Sequence, residues 1–118
     1  MSAPLSQTQD LRRGIVDLLQ LLPSPERQRE YEQTVPKVSV PTELLCMWFE
    51  DNYLPASAAF RLGFSPRELE AMAVFNNYFA DHEKLLPDAP NGIQGWLGTE
   101  AWQGITWEAS TAIAAFES

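Results

Sequence analysis

Positive charge is scarce in this chain. Eight Lys and Arg stand against sixteen Asp and Glu in 118 residues, a formal net charge of −8 at pH 7. A protein that grips a nucleic-acid backbone needs clustered cations, so the balance argues against that ligand, and anionic lipid would repel the same surface. Cysteine occurs once, as Cys46, so no internal disulfide can form. The opening Met1-Ser2-Ala3-Pro4 has neither the basic nor the apolar part of a secretory signal, and the expected setting is the reducing cytoplasm. Long hydrophobic runs are missing too. Leu18-Leu19-Gln20-Leu21-Leu22 is short and interrupted against the roughly 20 residues that span a bilayer, so no membrane segment is expected. Gly-rich phosphate loops, Glu-x-x-His metal pairs and Gly-x-Ser-x-Gly elbows are absent as well.

What remains has the composition of an ordinary globular domain, 45% hydrophobic and 11% aromatic, with a mean hydropathy of −0.23. Its length suits a single folding unit over residues 1–118, with no repeat or linker to divide it.

Helical periodicity dominates. Ser6 with Gln9 reads as a capping box, and Leu11, Ile15, Leu18, Leu19 and Leu22 then line one side of a helix that must stop before Pro23. Gly14 inside it costs about 1 kcal/mol against Ala unless another element packs closely there. Ser24-Pro25-Glu26 opens a second helix to Gln33 that is short and polar, with Tyr31 as its large apolar residue. Val35 to Pro41 reads as an extended connector, with a β-strand as the alternative. From Pro41 to Tyr53, steps of 100° gather Leu44, Leu45, Trp48 and Phe49 on one arc and Glu43, Glu50 and Asp51 on the other.

Tyr53 to Phe64 reads as a loop that packs down through Leu54, Phe60, Leu62 and Phe64. Ser65-Pro66-Arg67-Glu68 is a capping box with proline at the first helical position, and the longest helix follows. Leu69, Met72, Phe75, Phe79 and Leu86 form its apolar arc, extended by Tyr78 and Leu85, opposite Glu70, Asn77, Asp81 and Lys84. Pro87 to Gly98 reads as a loop with one turn around Trp96. Thr99 caps a last helix striped by Trp102, Ile105, Ala109, Ala112, Ile113 and Phe116. The fold class predicted is all-α, a small bundle of four amphipathic helices plus one short polar helix.

Catalysis lacks parts. His82 stands beside Asp81 and Glu83, but neighbours on a helix diverge by 100°, so the three cannot meet on one metal; His82 also falls on the apolar arc and reads as a packed histidine. Cys46 has no basic neighbour to lower its pKa and reads as a packing thiol. Neither an enzyme nor a cofactor or metal site is expected. Binding is better supplied. Residues 1–40 carry five acids and five bases, so the whole excess of −8 falls on residues 41–118, eleven acids against Arg61, Arg67 and Lys84. Glu43, Met47 and Glu50 recur at i, i+4 and i+7 with Asp51 alongside, which sets a flexible thioether among carboxylates on the outer face. The bland counterpart is a solvated helix face. Glu70 and Asp81 extend the acidic surface from the longest helix. Trp107 points about 140° from Trp102, either packed under the Trp96 loop or offered to a partner. An acidic face of this kind draws a basic protein partner and speeds encounter with it.

Val40-Pro41-Thr42-Glu43-Leu44-Leu45-Cys46-Met47-Trp48-Phe49-Glu50-Asp51-Asn52-Tyr53, followed by Phe64-Ser65-Pro66-Arg67-Glu68-Leu69 and Phe75-Asn76, resembles small acidic bacterial immunity proteins of contact-dependent inhibition and related polymorphic toxin systems. The likeness covers roughly residues 30–117. It implies a cytoplasmic, non-catalytic protein that binds a cognate toxin domain one to one, and it carries over no catalytic residue. Glu43, Met47, Glu50 and Asp51, extended by Glu70 and Asp81, are the candidate contact residues. The alternative is a structural or regulatory adaptor, or a homodimer joined through Trp107 or the loop aromatics.

Overall fold

Proline and hydroxyl side chains set the helix starts in the computed structural model, which describes residues 3–34, 39–88 and 92–116. Helix α1 (Ala3–Leu21) begins ahead of Ser6, with Pro4 in a first turn that suits its fixed φ, so the Ser6/Gln9 pair is not the helix start. Helix α2 (Pro25–Thr34) follows Ser24, whose Oγ accepts from Arg27 N at 3.2 Å. Helix α3 (Val40–Cys46) is capped by Ser39, one residue earlier than proline spacing predicts, and Val40 is buried rather than part of a connector. Residues 35–38, the rest of the expected connector, lie outside the described residues. After the single turn α4 (Ala58–Arg61), helix α5 (Pro66–Glu83) opens on the expected capping box: Ser65 Oγ accepts from Glu68 N at 3.2 Å, and Ser65 N donates to Glu68 Oε1 at 2.8 Å. A second single turn, α6 (Gln94–Leu97), surrounds Trp96, and α7 (Glu100–Ala114) is capped by Thr99. The regular elements among the described residues are all helical.

Between Met47 and Asn52 the third helix continues in π form. Tyr53 N donates to Trp48 O, five residues back, at 3.2 Å, and Asn52 Nδ2 donates to Met47 O at 2.7 Å. Five-residue bonds widen the turn, so each step advances by less than the 100° of an α-helix and the two halves of this element present different registers.

Helices α5 and α7 form the central antiparallel pair: Arg67 lies opposite Ala115, and the Tyr78 hydroxyl sits where a side chain on Gly104 would have to go. Helix α1 crosses α7, α4 and the π segment, burying Ile15, Leu18, Leu19 and Leu22. Its Gly14 meets the π segment at a distance that leaves no room for a methyl, since a Cβ there would stand 2.5 Å from Asn52 Oδ1. Trp48 is the aromatic centre. It stacks on Tyr53 at 4.7 Å, meets Phe75 edge-on at 4.8 Å and donates from Nε1 to Asn76 Oδ1 at 3.1 Å. Buried side chains of this size each contribute about 1.5–3 kcal/mol by leaving water.

Helix α2 is wet, as its composition predicts, but it anchors through polar atoms. Buried Gln28 donates from Nε2 to Leu21 O at 3.1 Å and Leu22 O at 2.8 Å, closing the end of α1, and Glu32 accepts from Ile93 N at 2.6 Å. Two expected core residues are outside. Leu62 is exposed because α4 ends at Arg61 and the chain turns away, and Leu85 is exposed because α5 stops at Glu83, so the following turn packs Leu86 instead.

Candidate partner-binding site

The predicted contact residues of the third helix divide between separate clefts. Glu43, Glu50 and Asp51 all lie within electrostatic reach of the Cys46 thiol and push its pKa up: a hydrogen-bonding interaction with Glu50 is the largest cause, followed by desolvation and the charges of Glu50, Glu43 and Asp51. Cys46, Glu50, Phe49 and Leu45 line a 250 Å³ cleft whose far wall carries Glu83 of α5. Ion pairs among the described residues join Arg12 to Glu68 and Arg13 to Asp10, and none of them involves Glu43, Glu50 or Asp51. Glu50 and Asp51 are exposed and Glu43 is half-buried. A thiol set among carboxylates stays protonated and is a poor nucleophile.

Met47 faces the other way. It lines a 290 Å³ cleft against α1, made with Gly14, Asp17, Leu18, Leu21 and Asn52. Uniform steps of 100° put Met47 on the Glu43–Glu50 ridge; its N–H still donates to Glu43 O, one α-turn back, and the π segment runs on from it to Asn52.

Glu70 and Asp81 are both exposed and belong to a different face, one side of the α5–α7 pair. A 380 Å³ cleft at one end lies between Arg67, Glu70 and Val74 of α5 and Glu108, Thr111 and Ala115 of α7. A 510 Å³ cleft at the other end is lined by Tyr78, His82, Leu85, Thr99, Glu100 and Ala101. Along α5, residues 67, 71, 74, 78 and 82 recur at three and four, and along α7 residues 101, 104, 108 and 111 do the same, with Leu85 and Ala115 just past the helix ends, so both clefts open on one furrow. Tyr78 packed over Gly104 is the saddle between them.

Trp107 stands on the rim of this furrow, one turn from both Gly104 and Thr111, and is 71% exposed. It does not pack under the Trp96 loop, whose Trp96 instead tilts against Trp102 at 5.0 Å. Val74, in the furrow itself, is 56% exposed. His82 is half-buried and lies flat on Tyr78, ring centroids 3.9 Å apart, with Nδ1 2.8 Å from Tyr78 O. A carbonyl only accepts, so Nδ1 is the donor in this contact. Asp81 and Glu83 do not join it, and no group of three His, Cys, Asp or Glu among the described residues is placed to hold a metal ion.

Periodicity alone did not reveal the furrow, because it depends on how α5 and α7 pair; its signal in the sequence is the run of small residues Ala101, Gly104 and Ala115 beside an unpacked Trp107. No helix among the described residues is long and apolar enough to cross a membrane. No family model matches this chain, and neither curated proteins nor solved structures supply a match.

Proposed function

We propose that this chain is a non-catalytic inhibitor of the immunity type, which binds one cognate, basic toxin domain in the bacterial cytoplasm and neutralises it by covering its surface. The observation that carries this reading is the acidic cluster around Cys46: Glu43, Glu50 and Asp51 all act on one thiol, and none is in an ion pair among the described residues. Carboxylates outside any ion pair attract Lys and Arg of another protein and raise the rate of encounter. Met47, in a separate cleft against α1, offers a pliable apolar contact. The sequence resemblance to immunity proteins points the same way, and the raised Cys46 pKa is in keeping with a role that needs no nucleophile.

The test pairs the chain with the toxin domain encoded beside it. Reversing Glu43, Glu50 and Asp51 to Lys leaves helicity intact by circular dichroism and slows association at low salt by about tenfold or more. An unchanged on-rate removes this face from the interaction. A second reading, a helical adaptor or homodimer, draws on exposed Trp107 and predicts a dimer in sedimentation that Trp107→Ala dissolves.

A further inference from the structure

The furrow along α5 and α7 has the chemistry of a helix receptor. Small side chains, Ala71 and Ala115 in one cleft and Ala101 in the other, let a guest backbone come close, and the two clefts of 380 and 510 Å³ lie one on each side of the saddle where Tyr78 covers Gly104. Apolar contact is supplied by Val74 within the furrow and Trp107 on its rim, both largely exposed in a chain that otherwise buries its large aromatics. A bulky aromatic left standing beside a channel of small residues is the arrangement that anchors a partner side chain.

Charge decides what lies there. Glu70 and Glu108 line one cleft and Glu100 the other, with Asp81 exposed on the α5 side between them. The single cation lining either cleft, Arg67, stands at one end. A second copy of this chain would bring these carboxylates against their own symmetry mates, since an isologous interface sets the same patch on itself. An apolar channel between acidic rims instead complements a helix with an apolar stripe flanked by Lys or Arg, laid in the groove through anchors at i, i+3 or i+4, and i+7.

We infer that the α5–α7 furrow is a docking groove for a basic amphipathic helix of another protein, with Val74 and Trp107 as its apolar anchors and Glu70, Glu100 and Glu108 as its charge rim. It is a surface separate from the Glu43, Glu50 and Asp51 cluster and does not depend on that cluster's role.

The experiment uses the full chain and two synthetic amphipathic helical peptides of the length of α5, one of Leu and Lys, the other of Leu and Glu. The Leu/Lys peptide shifts the amide signals of Val74, Gly104 and Thr111 and the indole signal of Trp107, while the Leu/Glu peptide does not bind. Trp107→Ala and Val74→Asp, each checked for native helicity and melting temperature, weaken the Leu/Lys peptide about tenfold, as truncation of an interface anchor does. The triple Lys variant of Glu43, Glu50 and Asp51 binds it within about threefold of the parent in 150 mM salt, where charges beyond about 8 Å are screened; this separates failure of the furrow from failure of the proposed inhibitor face. The inference is overturned if the peptide's shifts centre on Glu43 and Glu50, if folded Trp107→Ala and Val74→Asp bind as the parent does, if the Leu/Glu peptide binds equally, or if the chain sediments as a dimer held by this furrow.

Discussion

Arg12 and Glu68, 56 positions apart in sequence, meet as a bidentate pair, Nη1 to Oε1 at 2.7 Å and Nη2 to Oε2 at 2.9 Å. The same guanidinium donates to Gly63 O at 2.9 Å and lies over the rings of Phe64 and Phe116, 5.6 and 5.4 Å from their centroids. Glu68 is both the capping-box residue of α5 and the anchor of α1. One side chain thus ties three helices, because Phe116 follows α7.

Glu68→Gln is expected to lower stability by about 2 kcal/mol in urea unfolding, since it replaces charge-assisted bonds at a buried carboxylate and leaves Arg12 without its counter-ion. Arg12→Met should cost a similar amount, with some apolar packing on Phe64 and Phe116 retained.

Acid should act through the same residue. Arg12 foremost, helped by the Ser65 backbone and side chain, outweighs desolvation and holds the Glu68 pKa below its usual carboxylate value. A lowered folded-state pKa means that the stabilisation is present above the unfolded-state value, near 4.5, and is lost as pH falls through the folded one. Urea midpoints measured from pH 7 down to pH 3 should fall in the parent, and the difference between parent and Glu68→Gln should shrink toward zero at the acid end.

Gly14→Ala gains about 1 kcal/mol of helix propensity in an isolated helix but should destabilise the folded chain by about 1 kcal/mol, because the new methyl meets Asn52 Oδ1. Adding Asn52→Ala removes the collision. A double-mutant cycle read by thermal or urea unfolding should therefore show coupling of about 1 kcal/mol or more in favour of the double variant.

The Cys46 thiol should react with iodoacetamide more slowly than a free cysteine at pH 8, since its neighbours disfavour the thiolate. Glu50→Gln removes the largest cause and should speed alkylation by about threefold, with Glu43→Gln giving a smaller gain.

Gln28→Glu should cost about 2–3 kcal/mol at pH 7, as a buried carboxylate would face Leu21 O and Leu22 O where an amide now donates. Protonation restores a donor, so the deficit should narrow as pH falls, opposite in sign to the Glu68 effect.

The all-α architecture was legible because its signals are local. Ser65-Pro66-x-Glu68 and the stripes of α1, α5 and α7 are local, and the centre of each stripe is buried: Ile15, Leu18 and Leu19 in α1, Met72, Phe75 and Phe79 in α5, Trp102, Ile105 and Ala109 in α7. Leu85, at the end of the α5 stripe, is not. What escaped depends on contacts between distant segments. Arg12 reads as a surface residue until Glu68 is brought to it, and Gln28 as a solvated one until the end of α1 is found above it. The π bonds after Cys46 have no local signature; they become visible only where Gly14 and Asn52 interlock beside Met47. Trp107 illustrates the converse: its angle from Trp102 was correct, and only the position of the Trp96 turn decided that it stands in water.

The widened turn at Met47–Asn52 behaves as a one-residue splice in an otherwise regular rod. A deletion there would rewind it to a plain α-helix with the residues beyond it still in register, because a π turn accommodates one extra residue. Each stretch of the element carries both layers, Glu43 with buried Leu44 in the α part and Glu50 and Asp51 with buried Trp48 in the π part, so surface substitutions at Glu50 and Asp51 leave the interior unchanged.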